Sequence, residues 1–184
     1  GRGISVMFFF ANRLGFLAED SVVMSQPGDY FNFFITSAIT ISDADPIDLT
    51  AASEKPAFLK SAIGTPKGVL LFAENSQFLM ATQDVAFAPS TVKVTEISNY
   101  NVVTETQPQS TGVSVMFASE ADTYSKIFEM AIDSVDNRPV VAENTRIIPE
   151  YIPPDLKFIA SSPNNSFIVF GDNTDTVYTF KFFN

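Results

Sequence analysis

Apolar side chains fall along this chain in short runs, each closed by a cluster of turn-forming residues. Four of the strongest runs end in phenylalanine: Val6-Met7-Phe8-Phe9-Phe10, Val69-Leu70-Leu71-Phe72, Val113-Ser114-Val115-Met116-Phe117 and Phe167-Ile168-Val169-Phe170. A few polar or small residues and a second apolar run follow, as in Gln77-Phe78-Leu79-Met80, Ile127-Phe128-Glu129-Met130 and Val177-Tyr178-Thr179-Phe180. Runs of this length, rich in Val, Ile, Phe and Thr, read as β-strands, and paired runs read as antiparallel hairpins. The pattern predicts pairing of residues 69–72 with 77–80, 113–117 with 127–131, and 167–170 with 177–181, with Phe72, Phe117 and Phe170 buried. Gln26-Pro27-Gly28-Asp29, Ser162-Pro163-Asn164-Asn165 and Gly171-Asp172-Asn173 supply turns. Only residues 51–63 have helix-forming composition, and Pro56 in their middle limits any helix to a turn or two.

Terminal phenylalanines of successive runs lie 62, 45 and 53 residues apart, near the ~40–50 residues of a four-stranded propeller blade. The expected fold is therefore all-β, with antiparallel hairpins and small sheets arranged as propeller-like blades. A two-sheet β-sandwich is the alternative, since short alternating strands are equally its signature. Residues 1–184 are read as one all-β region, without an internal boundary, belonging to a larger propeller-containing protein. Gly1-Arg2-Gly3-Ile4 has neither the charged lead nor the apolar core of a signal peptide, and the final residues stop within an alternating pattern. Both ends are expected to be cut ends.

Composition supports a packed core and narrows the chemistry. Of the 184 residues, 46% are hydrophobic and 17% charged, and phenylalanine alone occurs 19 times, the reverse of a disordered composition. No apolar run approaches the roughly 20 residues of a membrane-spanning helix. Cysteine, histidine and tryptophan are absent. That removes disulfides, thiolate and imidazole metal sites, and catalysis through a Ser-His or Cys-His pair. The net charge is −10, and the basic residues, among them Arg13, Lys67, Lys93, Arg138 and Lys157, are scattered singly. Tight nucleic-acid binding needs clustered cations to neutralise phosphates, so it is not expected.

Few strings suggest chemistry. Asp43, Asp45 and Asp48 put three carboxylates within six residues, which suits calcium or a glycosidase-like acid pair. The segment lacks the glycine and further oxygen ligands of a calcium loop, and Asp-Pro opens turns, so turn and loop positions are expected. Gly64-Thr65-Pro66-Lys67-Gly68 lacks phosphate-loop spacing and leads into a strand. Asn164-Asn165-Ser166 is a single glycosylation sequon. In Ser25-Gln26-Pro27-Gly28-Asp29-Tyr30-Phe31-Asn32-Phe33, Pro27 and Gly28 predict a turn with positive φ at Gly28, followed by an aromatic strand. No catalytic, cofactor-binding or metal-binding residue is assigned.

Taken together, several strings resemble the tail nozzle (tail tubular protein B) family of short-tailed bacteriophages. They are Asn12-Arg13-Leu14-Gly15-Phe16-Leu17, Val22-Val23-Met24-Ser25, Pro27-Gly28-Asp29-Tyr30-Phe31-Asn32-Phe33 and the Asp43–Asp48 stretch, in that order. The likeness continues at Val69-Leu70-Leu71-Phe72 with Ser76-Gln77-Phe78, and at Pro149-Glu150-Tyr151-Ile152-Pro153 with Ala160-Ser161-Ser162. The resemblance implies a structural virion protein without enzymatic activity or cofactor. It further implies the wall of a hexameric tube beneath the tail adaptor protein, conducting DNA during ejection without gripping it. Two rival readings use the same strands: a glycan-binding or glycan-cleaving β-module, and an unrelated propeller-type interaction scaffold.

Overall fold

In a computed structural model, residues 3–133, 138–148 and 150–181 are described. The expected features at residues 1–2, 149 and 182–184 lie outside them. The chain divides into two compact units, residues 1–99 and 100–184.

The first unit contains two four-stranded antiparallel sheets, each running in chain order. Strands β1 (Ile4–Phe10), β2 (Arg13–Ala18), β3 (Ser21–Met24) and β4 (Ile47–Thr50) form one, and β5 (Leu59–Thr65), β6 (Gly68–Ala73), β7 (Gln77–Ala81) and β8 (Lys93–Ser98) the other. Alternation along the strands turns Leu17, Val22 and Met24 of one sheet and Val69, Leu71 and Met80 of the other into a single buried cluster, so the sheets pack face to face. At Gly15 any larger side chain would collide with the ring of Phe8, its cross-strand partner: a Cβ there would lie 2.5 Å from Phe8 Cζ. The Phe8 ring occupies the space above that glycine. The β1–β2 turn carries positive φ at both Ala11 (48°) and Asn12 (58°), as a two-residue type I′ hairpin turn requires.

In the second unit β9 (Gln109–Ser110), β10 (Val115–Glu120), β11 (Ser125–Ile132) and β12 (Pro139–Glu143) form a four-stranded sheet, and β13 (Phe158–Ser162), β14 (Phe167–Gly171) and β15 (Val177–Lys181) a three-stranded one. Met116, Ile127, Ile159, Ile168 and Phe170 share its core. The Glu129 carboxylate accepts from Ser114 Oγ at 2.5 Å and from Asn144 Nδ2 at 3.1 Å, tying the segments that flank β10 and β12 to β11.

The all-β expectation holds: among the described residues the strands form small antiparallel sheets, none of which closes on itself. Of the expected hairpins, Val69↔Met80 to Phe72↔Gln77 and Phe167↔Lys181 to Phe170↔Tyr178 pair antiparallel. The middle one pairs from Val115↔Met130, because Val113 and Ser114 precede β10. Phe72, Phe117 and Phe170 are all buried.

One local expectation fails, and one allowance goes unused. Residues 51–63 contain no helix: from Leu59 the segment is β5, whose ladder to β6 prevails over its helix-forming composition. The one helical turn among the described residues is the 3-10 turn Pro163–Asn165. Residues 30–33 are not a strand either. The main chain there curls back, Asn32 donating to Asp29 and accepting from Gln26, so no ladder can form.

Candidate functional site

Between β3 and β4 the chain makes a long excursion over residues 25–46, and the motif strings of the sequence meet at its base. Pro27 and Gly28 form the expected turn: Gly28 has φ of 76° and Asp29 N–H donates to the Gln26 carbonyl at 3.4 Å. Gly28 N–H donates to the Asn12 carbonyl at 2.8 Å, and the Tyr30 hydroxyl donates to Asn12 Oδ1 at 2.8 Å. Ser25 Oγ accepts from Leu14 N–H at 3.0 Å. The excursion is thus sewn to the β1–β2 hairpin at its start.

Its end is held by a buried ion. Arg13 opens β2 and is fully buried, and its guanidinium donates to three main-chain carbonyls: Ser25 at 2.8 Å, Asp45 at 2.7 Å and Asp43 at 2.7 Å. A planar fork of several N–H donors serves carbonyls arriving from different directions. Burial pulls the guanidinium below its ordinary pKa, and the negative charge of Asp45 acts against that pull. The buried Asp45 carboxylate accepts Ser42 N–H at 2.8 Å and Thr36 N–H at 3.0 Å. These bonds, with that of Ser42 foremost, hold its pKa below the usual carboxylate range, helped by Arg13.

What the anchored excursion presents is apolar. Phe31 is 89% exposed and Ile39 95%, and Phe34, Ile35 and Ile41 are exposed with them. Tyr30 meets Phe9 of β1 edge to face at 5.1 Å, and Phe33 lies against Phe16 of β2 at 5.6 Å. The apolar surface therefore continues onto the outer face of the first sheet. From residue 30 to 42 the sequence carries no charged side chain, while Asp29 and Asp43 bracket it. Exposed apolar side chains that gather on one surface mark interaction sites.

The candidate residues of the sequence fall into different places. Asp45 turns inward as a latch, Asp43 contributes a carbonyl to Arg13, and Asp48 is an exposed strand residue paired with Val23, so the expectation of turn and loop positions is corrected for Asp48. Among the described residues no three Asp, Glu, His or Cys side chains converge to hold a metal. Pro66 and Lys67 form the tight turn between β5 and β6, as expected of a loop into a hairpin. Asn164 lies in the 3-10 turn. Sequence reasoning missed the Arg13 anchor; a lone arginine opening an otherwise apolar strand was the signal available. Among the described residues no helix is long and apolar enough to cross a membrane.

The described residues thus form an all-β protein with a braced loop that exposes apolar side chains. The comparison with known families makes this specific: the chain belongs to the bacteriophage nozzle protein family, whose sequence pattern matches residues 1–184. It is also similar to tail tubular protein gp12 of Escherichia phage T7, with 28% identity over 185 residues, covering 99% of this chain and 23% of that protein. The chain thus spans about a quarter of the length of that relative. Family membership makes it part of a structural protein of the phage tail, carried in the virion.

Proposed function

We propose that this chain forms part of the wall of the tail nozzle, in a homo-oligomeric ring of sixfold order that joins the tail adaptor protein and lets DNA pass during ejection. The observation that carries the reading is the family match along residues 1–184. In this reading the four-stranded meanders act as propeller-like blades within one all-β region of a larger protein, and the chain performs no catalysis. The charge suits the role. A conduit has to pass DNA without retaining it, and a net charge of −10 with singly scattered cations repels phosphates.

The full-length protein co-expressed with its adaptor, imaged by electron microscopy and titrated with duplex DNA at physiological salt, tests this. A closed ring with DNA affinity no tighter than the ~10⁻⁴–10⁻⁶ M of weak non-specific binding supports the proposal. A stable monomer that binds duplex DNA at nanomolar concentration, with steep salt dependence, would overturn it.

A further inference from the structure

We infer that residues 25–46 form a strap over the outer face of the first sheet that opens and closes as one unit while the strands beneath it stay paired, and that the clasp of Arg13 and Asp45 sets how often it opens.

The ladder does not need the strap. β3 and β4 pair from Ser21↔Thr50 to Met24↔Ile47, so their register is complete at the two residues that flank the excursion. Leu17, Val22, Met24 and Ile47 carry the core of this sheet, and all four lie outside the strap. Of residues 25–46 only Ser25 and Asp45 are buried, and both are polar. The strap meets the sheet ring against ring at the surface, Tyr30 on Phe9 and Phe33 on Phe16. A segment with few buried apolar contacts opens at a smaller free energy than the strands that hold the core.

The fastenings are linked, which makes the opening concerted. One guanidinium binds carbonyls at both ends of the strap, Ser25 at one and Asp43 and Asp45 at the other. From its end the Asp45 carboxylate accepts the N–H groups of Thr36 and Ser42, in the middle of the strap. Gln26 Nε2 donates to the Phe34 carbonyl at 3.0 Å, joining the start to the middle. Freeing Asp45 therefore loosens the centre and the base together, and bonds arranged in such a network reinforce one another. Clasped and released are the two discrete arrangements that a conformational switch requires. Release bares the rings of Phe9 and Phe16.

Hydrogen–deuterium exchange of the full-length protein, resolved to single amides by mass spectrometry with electron-transfer fragmentation, tests this. After correction for intrinsic rates, the N–H groups of Gly28, Thr36 and Ser42 are compared with the ladder amides of β2 and β3. In the parent the three strap amides should share one protection factor, on the order of tenfold or more below that of the ladder. Arg13→Met removes the fork, and Asp45→Asn keeps it while weakening the grip on Thr36 and Ser42. Both variants should speed the strap amides on the order of tenfold. Gly28 should accelerate by the same factor as the other two, although its own acceptor is the Asn12 carbonyl. Should Arg13→Met fail to fold, Asp45→Asn decides. Strap amides that exchange in step with the ladder in the parent, acceleration confined to Thr36 and Ser42, or a folded Asp45→Asn protein with unchanged strap exchange would each overturn the inference.

Discussion

Arg13 and Asp45 stand 32 positions apart, yet the guanidinium Nη1 of the first donates to the main-chain carbonyl of the second at 2.7 Å. That bond and its two companions close the base of the 25–46 excursion, so one side chain joins its two ends. Replacing Arg13 by methionine leaves three carbonyls without their donor and Asp45 without a nearby cation. Losing one partner of a buried charged arrangement costs about 3–5 kcal/mol. Arg13→Lys keeps the charge but not the fork, and should fall between parent and methionine variant. Urea unfolding of the three proteins measures this, and a lysine variant as stable as the parent would show that charge alone suffices.

Asp45 gives the loop a pH dependence with a definite sign. Its folded pKa lies below the unfolded value, which is about 3.9. A group shifted in this direction contributes stability that is present above the unfolded value and is lost as pH falls through the folded one. Asp45→Asn should therefore be less stable than the parent at pH 7, and the gap should shrink below about pH 4. Unfolding midpoints of both proteins across pH 2–7 provide the test; a gap independent of pH would mean that ionisation of Asp45 contributes nothing.

Ala11 occupies a left-handed position, φ 48°, in the β1–β2 turn. For a residue with a Cβ this conformation costs roughly 1–2 kcal/mol, and glycine avoids that strain while losing more freedom on folding. The balance favours Ala11→Gly by up to about 1 kcal/mol. A raised thermal midpoint is expected. A lowered one would mean that the alanine methyl makes contacts worth more than the strain.

The hairpins were legible because their signals are local: an apolar run, a turn, and a second run in register. Residues 167–170 and 177–181 needed nothing from the rest of the chain to be paired on paper. At residues 51–63 Pro56 marked the limit of any helix, and the structure has none: from Leu59 the chain is β5, paired to β6 and bonded by Ser5, whose hydroxyl donates to the Leu59 carbonyl at 3.0 Å. Aromatics misled at residues 30–33, because strand propensity describes a partnered, half-buried surface, and β3 pairs instead with β4 after the excursion. The Arg13 anchor left little trace in the sequence, since its acceptors are main-chain carbonyls that any residue type would supply. Likeness to a family collected the strings that meet there, without indicating that one guanidinium joins them.

Phe72 and Phe31 share a side chain and differ in environment, 1% against 89% exposed, so the pair separates the energy of packing from that of an exposed ring. Phe72 lies in β6, buried at every position, and its truncation removes apolar contacts and opens a cavity, a loss of about 3–5 kcal/mol. For a cooperative unit near 100 residues, each kcal/mol lowers the melting temperature by roughly 4–8 °C. Phe31→Ala removes a ring already in water, so its effect on the unfolding of the isolated subunit should stay within about 0.5 kcal/mol. Calorimetry of both variants reads the two effects. Equal melting shifts would show that Phe31 is packed in the folded subunit.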